Sequence, residues 1–154
     1  MTAQVILRAA APLDAGRLGE ILYRFQQDTP WMPKLYAEVE AISFCGTMID
    51  RGWVTVAIVD GVIAGFLARD HDEVCALYLA AECRGQGIGA RLLIAAQKAS
   101  PAGLRLAAFA ANHGARQFYV RHGFCELTTG DGSGNEEGLP DIKMQWQPPQ
   151  REVA

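Results

Sequence analysis

The stretch "ALYLAAECRGQGIGARLLIAAQKA", Ala76 to Ala99, changes character halfway along. An alternating apolar run that reads as a strand breaks into Arg84-Gly85-Gln86-Gly87-Ile88-Gly89. Helical spacing follows at once, with Ile88, Leu92, Ala95, Ala96 and Ala99 as its apolar stripe. Three glycines in five positions are entropically costly and give nothing to a core, so this backbone must turn sharply or be closely approached. The first four N–H groups of a helix lack intrahelical acceptors, and the macrodipole adds roughly half a positive charge there. Arg84 adds a guanidinium fork suited to phosphate oxygens. Residues 84–90 are therefore expected to hold a phosphate or pyrophosphate.

The charge around the turn agrees. From Cys83 through Cys125 there is no Asp or Glu, whereas Arg84, Arg91, Lys98, Arg105, Arg116 and Arg121 all fall there. Such a segment suits an anion, although solvated helix faces would account for most of these cations one by one. The whole chain is mildly acidic, with a formal net charge of -3, which argues against nucleic acid as the main partner.

Outward from the turn, "EVCALYLA" (Glu73 to Ala80) is a strand, and "WVTVAIVDGVIAGFLAR" before it is two strands joined by Asp60-Gly61, a strong hairpin signal. "VILRAA" reads as a first strand, Pro12-Leu13-Asp14 opens a helix carrying Leu18, Ile21, Leu22 and Phe25, and a second helix covers Ala37 to Met48. Downstream, Pro101 and Gly103 end the glycine-turn helix, and "LRLAAFA" is a fifth strand. Ala115 to His122 is a short helix with Gly123 as its left-handed cap. "FCELTT" and "DIKMQW" complete a mixed sheet in an α/β fold around a polar loop, Gly130 to Pro140.

With 154 residues, half of them hydrophobic and a fifth charged, the chain is expected to form one domain over 1–154, with 147–154 as a flexible tail. Arg8, Asp14, Arg17 and Glu20 leave no secretory apolar core at the start, and no run reaches the ~18 apolar residues of a membrane span, so a cytoplasmic location is expected. Cys45, Cys75, Cys83 and Cys125 show no C-x-x-C pair and are expected as buried free thiols.

Other anion and metal readings fail on particular residues. "GQGIGA" matches the dinucleotide fingerprint, but the ribose-binding acid about 20 residues later is missing. No Lys-Ser/Thr follows the last glycine, which excludes a P-loop. His71-Asp72-Glu73 lacks the P-C-x-x-C that completes a zinc deaminase site. Asp131, Ser133 and Asn135 have calcium-loop spacing, but Glu136 and Ile142 stand where that loop needs glycine and a carboxylate. No metal is expected.

Residues Arg84, Gly87 and Gly89 resemble the R/Q-x-x-G-x-G/A motif of the GNAT acetyltransferase superfamily. "ANHGARQFYVRHGF" is similar to that family's N-x-x-A-x-x-F/Y-Y-x-x-x-G-F segment at Asn112, Ala115, Phe118, Tyr119, Gly123 and Phe124. The resemblance implies a mixed, largely antiparallel sheet of about six to seven strands, helices on both faces, and a splay between strands four and five. It implies acetyl-CoA as co-substrate. Its pyrophosphate would lie on Arg84, Gly85, Gln86, Gly87, Ile88, Gly89 and Ala90, and its pantetheine along the backbone of Leu77, Tyr78 and Leu79. Asn112, Ala115 and Phe118 would lie near the cofactor, with simple core packing the first reading of Phe118. Tyr119 would be the general acid, against the alternative of a packed aromatic, and Asn112 would share its face two helical turns earlier.

Glu73, in the alternation phase of Cys75, Leu77 and Leu79, is the candidate general base. His71 or carboxylates at the acceptor site are alternatives. His113 and His122 read as solvated or capping residues. The acceptor is expected to be an amine, read as that of a small molecule, with a peptide terminus as the alternative. The acidic loop with Asp131, Asn135, Glu136, Glu137 and Asp141 and the apolar Trp31-Met32-Pro33 are its candidate contacts, or simply a hairpin loop and a core plug. A homodimer is compatible with the sequence. A non-catalytic acyl-CoA sensor of the same fold is the alternative function.

Overall fold

The computed structural model describes residues 4–149. These form seven strands and four α-helices. In chain order they are β1 (Val5–Ala9), α1 (Ala15–Asp28), α2 (Glu38–Asp50), β2 (Val54–Val59), β3 (Val62–Asp70) and β4 (Glu73–Leu79), followed by α3 (Ile88–Ala99), β5 (Leu104–Phe109), α4 (His113–Arg121), β6 (Cys125–Gly130) and β7 (Asp141–Trp146). The strand order is β1-β2-β3-β4-β5-β7-β6. It is mostly antiparallel, and the parallel β4–β5 ladder runs through a single pair, Glu73↔Arg105. The residues divide into two compact units, one running to Asp70 and resuming over Val74–Ala95, the other comprising His71–Glu73 and everything from Ala96 on. The tail expected at 147–154 lies outside the described residues beyond Pro149.

In the first unit the β2–β3 hairpin turns on Asp60 (φ 52°) and Gly61 (φ 77°), the backbone pair a type I′ turn demands. Leu18 and Ile21 of α1 and Cys45, Met48 and Ile49 of α2 pack on Val56 of β2, Phe66 and Ala68 of β3 and Ala76 of β4. Two glycines permit this packing. A Cβ at Gly19 would stand 2.6 Å from the Ile42 Cα, so α1 and α2 approach backbone to backbone, and one at Gly65 would stand 2.8 Å from the Tyr78 carbonyl oxygen.

In the second unit β7 inserts between β5 and β6, with Leu104↔Trp146 and Phe109↔Asp141 at the ends of the β5–β7 ladder. A bulge between Glu126 and Thr128 leaves Leu127 out of the β6–β7 register. Leu104, Leu106, Phe124, Ile142 and Met144 are buried.

Several expectations need correction. The second helix begins at Glu38 and runs to Asp50, and the last begins at His113, two residues early, because Asn112 caps it. In α3, Leu93 is buried and Ala99 exposed. Of the four free cysteines only Cys45 is buried; burial pushes its thiol up to about 12. Cys75 is exposed because it occupies the outward phase of β4, opposite to Val74 and Ala76, and Cys125 because it lies on the edge strand β6.

Candidate functional site

Strand β4 alternates as a half-buried strand must: Val74, Ala76 and Ala80 face the core, while Cys75 is exposed and Leu77 and Leu79 are half-buried. Tyr78 shares the core phase and packs its ring against Phe25 (5.1 Å) and Phe66 (5.9 Å). Trp31 lies against Phe25 at 6.4 Å, and Met32 beside it is buried. Side-chain packing thereby fixes the strand whose backbone leads into the glycine turn.

The chain leaves β4 through a 3₁₀ turn, Ala81–Cys83, and passes Gly85 (φ 77°) and Gly87 (φ 80°) in the left-handed region. Nothing lies within 4 Å of a Cβ built at either position. Glycine is thus required by backbone angle, and the space above the turn is open. The first helical bond of α3 runs from the Arg91 amide to the Gly87 carbonyl. Among the described residues no acceptor takes the N–H groups of residues 87–90. Arg84 is exposed with no carboxylate partner among them. Gly89, by contrast, is buried in the first turn of α3. Four unpartnered donors, a helix dipole and an uncompensated guanidinium thus belong to one turn, an arrangement that fits a diphosphate.

Behind the turn lies a clamp with no sequence signature. Arg17 of α1 donates through Nε (3.1 Å) and Nη2 (2.9 Å) to the Ile63 carbonyl and through Nη1 to Glu20, and its Nη2 stands 3.6 Å from the Glu82 carboxylate. Gln86 Nε2 donates to the Glu82 carbonyl at 3.2 Å. Its own backbone amide, then the charges of Arg17 and Arg24, hold the Glu82 carboxyl below the ordinary carboxylate range.

The second motif is also explained by local physics. Asn112 is the N-cap of α4, its Oδ1 accepting the Ala115 amide at 3.1 Å. At the other end the Phe124 amide donates to the Tyr119 carbonyl and the Gly123 amide to that of Val120, with Gly123 at φ 91°, a Schellman ending. Tyr119, 9% exposed, meets Phe124 edge-on at 5.4 Å, the apolar contact that accompanies this ending. Phe118 is half-buried and packs on Tyr119 and His122; His113 is exposed and His122 is the C-cap. Thus Asn112, Ala115, Tyr119, Gly123 and Phe124 together specify a capped helix. A groove of about 450 Å³ lies on a different face of α4, lined by His113, Arg116, Gln117, Val120, Arg121 and Glu126, and takes in none of the expected site residues.

Two of the six cations in the acid-free segment are not available to an anion. Arg105 pairs with Asp72 (3.3 Å) and Glu73 (3.2 Å), and Arg116 grips Glu126 with two bonds while donating to the Ala110 carbonyl. The pairing strands bring in carboxylates from outside the segment. Glu73 accordingly serves as a clamp at the one β4–β5 register pair. In the acidic loop, Asp131 accepts the Ser133 amide and hydroxyl, and Asn135 bonds both the amide and the carbonyl of Leu139. Among the described residues no group of three or more His, Cys, Asp or Glu is placed to hold a metal.

Comparison with protein families matches residues 40–148 to the acetyltransferase (GNAT) domain model. The chain belongs to the GNAT acetyltransferase family. The matched span includes β4, the glycine turn and α4. Comparison with curated proteins finds no match. Among solved structures, the apo form of YjaB from Escherichia coli is similar with a TM-score of 0.77 at 19% identity, over 93% of this chain and 97% of that one. PaiA N-acetyltransferase from Thermoplasma acidophilum, in complex with coenzyme A, gives 0.70 at 21% identity over 94% and 99%. YncA from Salmonella typhimurium, with its cofactor acetyl-CoA, gives 0.73 at 18% over 99% and 98%. At these identities the likeness is one of fold, and it extends over nearly the whole of each chain.

Proposed function

We propose that this GNAT chain works as one acetyl-CoA-dependent N-acetyltransferase domain over residues 1–154, in the cytoplasm, acting on a primary amine of a small molecule. The observation that carries the reading is the glycine turn, where Gly85 and Gly87 at positive φ leave the N–H groups of residues 87–90 without protein acceptors beside an unpaired Arg84. The pyrophosphate of acetyl-CoA satisfies those donors. The similar structures with coenzyme A and acetyl-CoA support this choice of anion.

The proposed reaction is direct. The amine nitrogen forms a bond to the thioester carbonyl carbon, a backbone N–H within Leu77–Leu79 stabilises the developing oxyanion, and the C–S bond breaks. The Tyr119 hydroxyl protonates the departing thiolate, and the proton shed by the attacking nitrogen returns to the Tyr119 oxygen through solvent, giving coenzyme A and a neutral amide. Glu73, oriented by Arg105, accepts the ammonium proton through water before attack. No metal takes part.

Tyr119→Phe keeps the ring that packs on Phe124 and removes the proton donor. Turnover should fall about 10²- to 10⁴-fold while coenzyme A affinity holds. An unchanged kcat in a chemistry-limited assay removes Tyr119 from the mechanism. A non-catalytic sensor would have no use for that hydroxyl beyond packing, where its loss would change stability by about 1 kcal/mol and nothing else.

A further inference from the structure

Glu82 is a puzzle at an anion site. It places a carboxylate two residues before Arg84, in the 3₁₀ turn that leads into the donor-rich glycine segment, where its charge opposes a diphosphate. The structure supplies its compensation from α1. Arg17 is fixed by two bonds to the Ile63 carbonyl at the start of β3, which leaves its Nη2 facing Glu82 at 3.6 Å. Arg24, two helical turns further along α1, adds a second favourable charge. Gln86 holds the Glu82 carbonyl from inside the turn. Glu82 is therefore held by its side chain from α1 and by its backbone from the turn itself.

We propose that Arg17 is a positioning residue for the pyrophosphate turn: anchored on the Ile63 carbonyl, it neutralises Glu82, so that the negative charge beside the anion site does not oppose the co-substrate. The inference rests on the reading of residues 84–90 as the pyrophosphate site. Arg17 touches no reacting atom, so it acts on binding of acetyl-CoA and leaves the chemical step alone.

The experiment measures coenzyme A affinity by calorimetry at low salt, KM for acetyl-CoA, kcat and melting temperature for the wild type, Arg17→Met, Glu82→Gln and the double variant. Arg17→Met, which keeps the apolar stem, should weaken coenzyme A binding and raise KM about two- to fivefold, the range of one partly exposed charge interaction, with kcat per folded molecule unchanged. Glu82→Gln alone should bind at least as tightly as the wild type. The double variant should recover wild-type affinity, because the harmful charge is gone. If Arg17 only supports the fold, through Ile63, the double variant will bind as poorly as Arg17→Met, and the proposal is overturned. It is equally overturned if Arg17→Met binds like the wild type. Failure of the underlying reading looks different: Gly87→Asp, run alongside, would then bind coenzyme A as well as the wild type, or the wild type would not bind it at all.

Discussion

Gly87 offers a test in which backbone strain and electrostatics separate. Its φ of 80° is costly for most L side chains, and no atom lies within 4 Å of a Cβ built there. A substitution at this site therefore meets the angle and whatever the turn binds, with no wall of protein behind it. Asn and Asp are the two side chains that best tolerate left-handed backbone, and they share one shape. Gly87→Asn and Gly87→Asp should thus carry the same strain, about 1–2 kcal/mol, and lower the melting temperature equally. They differ by one charge. A carboxylate about 5 Å from a phosphate charge repels it by about 1 kcal/mol at the dielectric constant of water and about 3 kcal/mol at an effective value of ~20. Coenzyme A should bind the Asp variant about 5- to 150-fold more weakly than the Asn variant, and the gap should narrow as salt is added. Calorimetric titration at two ionic strengths reads this directly. Equal affinities for Asn and Asp at low salt would refute the placement of a phosphate on residues 84–90.

The other predictions concern the scaffold. Gly65→Ala should cost about 1–3 kcal/mol, lowering the melting temperature by roughly 2–12 °C, because its methyl would face the Tyr78 carbonyl at 2.8 Å; an unchanged melting curve would contradict the close β3–β4 approach. Asn112→Ala should destabilise by about 1 kcal/mol in urea through loss of the α4 cap, whereas Asn112→Asp, an equally good cap, should keep the wild-type midpoint. Asp14 is held below the ordinary carboxylate range, first by its hydrogen bond from Arg8 and also by the Ala11 amide. Its folded value lies below its unfolded one, so its contribution is full above about pH 4 and is lost as the pH falls through the lowered value. Asp14→Asn should therefore be less stable than the wild type at neutral pH, with the difference closing in acid. A gap that stays constant would contradict the pair.

Those parts of the fold that depend on neighbours in sequence were legible in the sequence. Asp60-Gly61 announces its hairpin because type I′ geometry requires positive φ at both residues, and Gly123 ends α4 for a related reason. The sharp glycine turn ahead of a helix was legible because its logic, positive φ at Gly85 and Gly87 where most side chains are disfavoured, is local. What depends on residues far apart in the chain was not. Arg17 and Ile63 are 46 residues apart, and nothing in the periodicity of α1 marks the one arginine that reaches β3. Arg105 and Arg116 read as free cations until the strands deliver Asp72, Glu73 and Glu126 to them. Insertion of β7 between β5 and β6 is a pairing choice that alternation alone does not encode. The motif around Tyr119 was legible by resemblance, yet its physical content as a capped helix with a Schellman ending emerged only from the backbone hydrogen bonds.

The central claim is transfer of acetyl from coenzyme A to an amine, and a stoichiometric assay tests it most directly. Purified protein is incubated with acetyl-CoA and a panel of small primary amines, thiol release is followed continuously, and each acceptor is weighed by mass spectrometry. Amine-dependent thiol release should be matched mole for mole by an N-acetylated acceptor, lost in Gly87→Asp and undiminished by a strong chelator. Tight coenzyme A binding with no acetylated product from any amine, small molecule or peptide, would contradict it and leave the acyl-CoA sensor as the function of this fold.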